Sequence, residues 1–283
     1  MPAIQVVESR VARESRFAVI KHDVRGEGSL VLLLHSGGMS GRQWRRLAER
    51  LAPSHRVVSP DFLGSGDNPP WPADTPFDFH SDVAAISQLL DVFGAPAHLV
   101  GHSYGGLIAL TVARERPADV RSLTVYDPVA FGVLHGAADE EGLADLARAG
   151  QNPVFLDDER GGQEPWFQAF VDYWNGPGSW LALPPPARAS FLKVGRKVYG
   201  EVRSLLEDRT PATAYSHLRA PALLLTGEHS PAAARRVVAL LAAALPSARL
   251  ESVAGAGHMG PISHATEVNA QIERHIAAAE ENR

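Results

Sequence analysis

An α/β architecture, a mostly parallel sheet flanked by helices and interrupted by an inserted helical cap, is the fold class that three observations predict. As far as Tyr126, short β-branched or leucine-rich runs alternate with longer helical patterns, the rhythm of βαβ units. After Asp127 that rhythm stops. It resumes at Ala222 with a strand, a helix, a second strand and a final helix. The predicted organisation is a core over residues 1–131 and 218–283, with a helical cap inserted at 132–217.

Phe17 to Val24 and Leu30 to His35 read as the opening strands. Ser40 is placed to cap a helix whose apolar stripe is Trp44, Leu47 and Leu51, and Pro53 stops it. Arg56 to Pro60 is the next strand, and the loop DFLGSGDNPPWP leads to a helix with Phe79, Val83, Ile86, Leu90 and Phe93 on one face. Gly94 lies just past its end. Ala97 to Val100 returns as a strand, Tyr104 to Arg116 is apolar on most sides as a buried helix must be, and Val120 to Tyr126 is another strand. Beyond the insertion follow the strand Ala222 to Thr226, a helix started by Ser230 as N-cap with Pro231 at its first position, and the strand Arg249 to Val253.

The chain has 283 residues, 45% of them hydrophobic and 21% charged, enough apolar material to exclude disorder as its main state. Its net charge of −5 and the absence of any long Lys/Arg run argue against a nucleic-acid partner. With no cysteine, thiol nucleophiles, disulfides and thiolate metal sites are excluded. The N-terminal stretch mixes acids and bases where a signal peptide needs apolar residues, and the apolar run Val237 to Leu245 is too short to span a membrane. A cytoplasmic protein with a small-molecule substrate and no membrane partner is expected, its oligomeric state left open. Histidines scattered over separate elements lack zinc-site spacing, and no GxGxxG occurs, so neither a metal nor another cofactor is expected.

Half of the 20 aromatic residues lie in the insertion, among them Trp166, Phe167, Phe170, Tyr173, Trp174, Trp180 and Phe191. They serve either as the cap's own core or as an apolar substrate wall.

The string Gly101-His102-Ser103-Tyr104-Gly105 is a GxSxG pattern set between the apolar strand AHLV and a buried helix. A sharp strand-to-helix turn pushes a serine hydroxyl above the sheet, and a Cβ at either flanking glycine would collide with neighbours. The plainer alternative is an ordinary glycine-rich βα turn. Because a lone serine hydroxyl is a poor nucleophile, catalysis needs a histidine base and an orienting carboxylate. His258 in GAGHMGP follows the last strand and so reaches the same sheet edge; His264 reads as a capping or surface residue.

The strand into His35-Ser36-Gly37-Gly38, the elbow GHSYGG, the insertion and the GAGH loop together resemble an α/β-hydrolase across nearly the whole chain, the cap being the least matched part. The resemblance implies a triad in the order nucleophile, acid, histidine: Ser103, a carboxylate, His258. Many members carry the acid after the next-to-last strand, where this chain reads Gly227-Glu228-His229-Ser230; other branches carry it at the strand end occupied here by Asp127 in TVYDP. Asp127 is the expected acid and Glu228 the alternative. The resemblance further implies an oxyanion hole from the amides of Gly37 and Tyr104, an orienting role for His35, and a structural role for the loop of Asp61, Gly64 and Gly66.

The expected activity is that of a cofactor-independent serine hydrolase cleaving a carboxylic ester of an apolar or aromatic small molecule through an acyl-enzyme. With serine at the nucleophile position, the resemblance argues against epoxide hydrolase and haloalkane dehalogenase chemistry, whose family members carry an aspartate there. Carbon–carbon bond hydrolysis, lyase or perhydrolase chemistry on the same scaffold, and a non-catalytic ligand-binding protein, are the alternatives.

Overall fold

The strands are β1 (His22–Arg25), β2 (Ser29–Leu34), β3 (His55–Pro60), β4 (Ala97–His102), β5 (Val120–Tyr126), β6 (Ala222–Gly227) and β7 (Ala248–Val253); all but β1, whose run HDVR holds one apolar residue, carry apolar residues on alternate or successive positions. The computed structural model describes residues 20–72 and 74–281. Among them one sheet forms in the order β1-β3-β2-β4-β5-β6-β7, parallel throughout except for β1 against β3. The predicted first strand begins later than expected, at His22, and positions 17–19 lie outside the described residues.

A parallel sheet must be covered on both faces, and β2 shows how its sequence meets that demand. Leu30, Leu32 and Leu34 point into one apolar cluster, and Val31 and Leu33 into another on the opposite face. The first cluster is closed by α2 (His80–Phe93), α3 (Tyr104–Glu115) and α10 (Ala232–Ala244); the second by α1 (Arg45–Leu51) and α12 (Ala265–Glu281). Residues 104–113 of α3 are all buried, as expected of a helix apolar on most sides.

Two predicted helix starts are corrected. Ser40 precedes a 3₁₀ turn at Gly41–Trp44 but makes no side-chain cap bond; the Gly41 amide instead donates to Asp61 Oδ1 at 2.8 Å. Ser230 does not cap α10, which begins at Ala232 behind Pro231. The first-turn amide of Ala233 donates to Asp145 Oδ2 at 2.9 Å, which frees the Ser230 hydroxyl for a buried carboxylate. In both places a carboxylate from a distant segment, a stronger acceptor than a hydroxyl, takes the capping bond.

Between β5 and β6 the chain leaves the sheet for α4 (Gly132–Ala137), α5 (Glu140–Gly150), α6 (Glu164–Asn175), α7 (Ser179–Ala182), α8 (Pro185–Lys193) and α9 (Gly195–Glu207). This excursion has an apolar cluster of its own, in which Trp166, Phe167, Trp180 and Tyr199 are buried and Phe191 packs from the side. No helix among the described residues is long and apolar enough to cross a membrane.

Candidate active site

The strand β4 ends at His102 and α3 begins at Tyr104, so residue 103 alone turns the chain, at φ 54° and ψ −116°. A non-glycine residue rarely takes this backbone conformation, and such strain persists only where the surroundings enforce it. The enforcement is steric and leaves its mark on the flanking glycines. A Cβ on Gly101 would stand 2.3 Å from the Gly105 carbonyl oxygen, and one on Gly105 would stand 2.4 Å from that of Leu34. The expected collisions at both positions are therefore present.

The turn directs Ser103 Oγ to His258 Nε2 at 3.0 Å, and His258 Nδ1 lies 3.2 Å from Asp127 Oδ2. A carboxylate acceptor at Nδ1 keeps the ring proton there, leaving Nε2 to accept from the serine hydroxyl. Asp127 follows β5 at φ 44° and is fully buried. Thr226 Oγ1 donates to its Oδ1 at 2.6 Å and Ser230 Oγ to its Oδ2 at 2.5 Å. Glu228, the alternative acid, turns outward: it is exposed, and its Oε2 accepts the Gly255 amide at 2.8 Å. His264 stays on its own loop, its Nδ1 2.9 Å from Ser263 Oγ.

The loop that carries His258 is held from the strand ends. His102 Nε2 donates to the His258 carbonyl at 2.8 Å, while its Nδ1 accepts from Gln43 Nε2 at 3.1 Å. Tyr126 donates its hydroxyl to the Gly257 carbonyl at 2.7 Å. Burial, with His258 nearby, lowers the His102 pKa well below the ordinary value, so it serves as a neutral strut. His35 braces the loop after β2 in a comparable way. Its Nδ1 donates to the Ser36 carbonyl at 2.8 Å and its Nε2 accepts the Phe62 amide at 3.1 Å. Burial pulls its pKa down to about 3. The predicted orienting contacts of His35 are thus present, and Asp61 likewise binds the backbone of its own loop through the Asp67 amide at 2.8 Å.

Ser103, Gly37 and Tyr104 open onto a cavity of about 170 Å³. The amide of Tyr104 belongs to the first turn of α3, where backbone donors have no intrahelical acceptor. Phe170, Tyr173 and Trp174 of α6 form an apolar wall, joined by Val202 and Leu205 of α9. Trp174 also stacks on His258, the ring centroids 3.8 Å apart and the planes within 21°. The aromatics of the insertion are therefore divided between an internal cluster and this cavity wall.

One group in the wall escaped the sequence reading. Lys197 and Glu201 of α9 are 2% and 1% exposed, and the lysine Nζ bonds Glu201 Oε1 and, at 3.0 Å, Asp82 Oδ2 of α2, itself 0% exposed. Tyr104 donates its hydroxyl to the same Asp82 oxygen at 2.7 Å, and the Leu63 amide donates to Asp82 Oδ1 at 2.9 Å. A Lys and a Glu four apart on a helix read in sequence as a solvated surface pair. No local spacing announces a partner on another helix. His102 was missed as a strut for a similar reason, since its acceptor lies 156 positions away.

A model of the alpha/beta hydrolase family matches residues 31–271. The chain is 29% identical over 268 residues to a pimeloyl-[acyl-carrier protein] methyl ester esterase of Aeromonas hydrophila, covering 89% of this chain and 96% of that one. It is 34% identical over 157 residues to lipase LipV of Mycobacterium tuberculosis, a match that takes in 55% of this chain and spans only 53% of the lipase. Among solved structures, a putative lipase of Acinetobacter baumannii shares the fold with a TM-score of 0.73 at 21% identity, over 98% and 97% of the two chains. A hydrolase of Pseudomonas aeruginosa does so with a TM-score of 0.71 at 19% identity, over 90% and 93%.

Proposed function

The chain belongs to the alpha/beta hydrolase family, and from that premise we propose that it is a cofactor-independent serine hydrolase that cleaves a carboxylic ester of a small apolar or aromatic molecule. Ser103 attacks the acyl carbonyl while His258 takes its proton, and Asp127 holds the resulting imidazolium. The amides of Gly37 and Tyr104 donate to the oxyanion of the tetrahedral intermediate. His258 then returns the proton to the departing alkoxide, and water repeats the sequence on the acyl-enzyme.

The observation that carries this reading is the continuous hydrogen-bonded series from Ser103 Oγ through both ring nitrogens of His258 to Asp127. The apolar wall of Phe170, Tyr173 and Trp174 favours an acyl or alcohol group without charge, and the helical insertion acts as the cap over it. An esterase and a lipase among the relatives support the ester class.

A fluorophosphonate probe tests the proposal, with labelled peptides identified by mass spectrometry and hydrolysis of p-nitrophenyl esters of rising chain length followed in parallel. Labelling is expected at Ser103, and turnover is expected to peak at short to medium acyl chains, since the cavity is small. Turnover by a protein that the probe never modifies at Ser103 would overturn the assignment.

A further inference from the structure

Glu201 does more than neutralise Lys197. It lines the same cavity as Ser103, Gly37 and Tyr104. Its Oε1 is taken by the lysine, and its other oxygen, Oε2, stands 2.7 Å from the point a Cβ on residue 37 would occupy. Residue 37 is a glycine, so that oxygen approaches the backbone whose amide is assigned to the oxyanion hole. We propose that Glu201 acts as a neutral carboxylic acid, a third donor whose Oε2 proton is hydrogen-bonded to the reacting carbonyl oxygen beside the Gly37 amide. This inference rests on the serine-hydrolase reading given above.

The charge count of the surroundings supports it. Two buried carboxylates, Asp82 and Glu201, face one buried cation, Lys197. Tyr104, from α3, meets the group as a neutral phenol, its pKa raised far above the ordinary value by burial and by Asp82. His35, from the loop after β2, is neutral as well. One negative charge is therefore in excess among buried groups, where an unpaired charge is costly. Asp82 is served by Lys197, Tyr104 and the Leu63 amide, whereas Glu201 has the lysine alone, so the proton that removes the excess belongs on Glu201. Burial raises the Glu201 carboxyl to about 7 against the downward pull of Lys197, and Asp82 adds to the rise.

Chemistry points the same way. An ionised carboxylate beside the Gly37 amide would repel the negative charge that grows on the carbonyl oxygen, whereas the acid donates to it. The proton is shared and not transferred: it stays on Oε2 as the tetrahedral intermediate forms and collapses. Lys197 fixes which oxygen faces the cavity, and it would orient a glutamine likewise, with its amide nitrogen inward.

The test is the pH dependence of kcat/KM between pH 5 and 9 for p-nitrophenyl ester hydrolysis, together with the rate of phosphonate labelling, in wild type, Glu201→Gln and Glu201→Leu. Wild type is expected to lose activity as pH rises through about 7. Glu201→Gln should lose that alkaline fall while running a few-fold slower at pH 6. Glu201→Leu should be slower by about 10²-fold at pH 6, where the wild-type acid holds its proton, the usual effect of removing one oxyanion donor, and should show no alkaline fall. An alkaline fall of wild-type size in Glu201→Gln, or a Glu201→Leu rate within twofold of wild type at pH 6, overturns the proposal. Should the leucine variant not fold, the glutamine profile decides. Failure of the underlying reading looks different: Ser103→Ala would retain turnover whatever stands at 201.

Discussion

Hydroxyl, imidazole and carboxylate come together at both ends of the same sheet. At the carboxyl ends of the strands lie Ser103, His258 and Asp127. At the amino ends, His98 Nδ1 lies 2.8 Å from Ser122 Oγ, and His55 and His98 face Glu280 at 3.4 and 3.5 Å, while Ser29 donates to Glu280. The residue types are the same, but the settings are not. Ser122 lies inside β5, at a register shift against β4, with its hydroxyl buried against His98, whereas Ser103 occupies a strained turn at a helix start and opens onto a cavity. The two imidazoles at the amino end point at Glu280 without hydrogen-bond alignment, while both nitrogens of His258 are engaged in series. Parallel sheets place ligand sites outside the carboxyl ends of their strands, where turns into helices supply free amides. Composition alone does not make a site; the backbone at the nucleophile and the space in front of it do.

That contrast is open to direct attack. Ser103→Ala or His258→Ala is expected to remove about 10⁴- to 10⁶-fold of ester turnover with little change in the urea midpoint, whereas Ser122→Ala and His98→Asn should leave turnover within twofold. A large kinetic loss at the amino end would erase the distinction. Next in size, Asp127→Asn should cost about 10²- to 10⁴-fold in kcat through loss of the correct tautomer, and Glu228→Gln almost nothing; the reverse ranking would move the acid to the later loop. Trp174→Leu removes the ring stacked on His258 and should lower kcat/KM by about threefold to tenfold, the worth of one aromatic pair.

The remaining differences are in stability. Glu280→Ala should lower unfolding free energy by about 1 kcal/mol, as is typical when a partly exposed polar contact is lost, with no kinetic effect, as read from urea unfolding. His35, His98 and His102 are all held neutral by burial, His35 with its pKa at about 3 and His98 at about 4. A histidine with a depressed folded pKa contributes stability that is present above the unfolded value of about 6.5 and is lost as pH falls toward the folded one. The urea midpoint should therefore drop steadily from pH 6.5 to 4. His98→Asn should flatten that drop and leave the pH–rate profile where it was, which separates the two ends of the sheet once more.

What the sequence disclosed follows the same division. Periodicity located β2 to β6 to within a few residues because parallel strands buried on both faces must be apolar, whereas the edge strands β1 and β7 are largely exposed. The motif around Ser103 and the loop around His258 were legible because their glycines answer to local steric demands. Asp127 was legible through the family resemblance, which in some branches places the acid at that strand end; its own string TVYDP does not announce it. Contacts made across long separations were not legible. The Asp61 and Asp145 carboxylates displaced the expected serine caps from far along the chain, the struts His102 and Tyr126 have ordinary strand neighbours, and Lys197 and Glu201 carry the spacing of a surface pair. Each is defined by which helix or loop lies opposite, and spacing within a segment does not encode that.

The bond between Lys197 of α9 and Asp82 of α2 has a mechanical consequence. It rivets one flank of the insertion to the domain beneath, and separating it would strand opposite charges in an apolar interior, at a cost of about 3–5 kcal/mol. A second fastening stands at α5, where Asp139 pairs with Arg236 of α10 and Asp145 accepts the Ala233 amide, so the insertion is held to the sheet domain on two flanks.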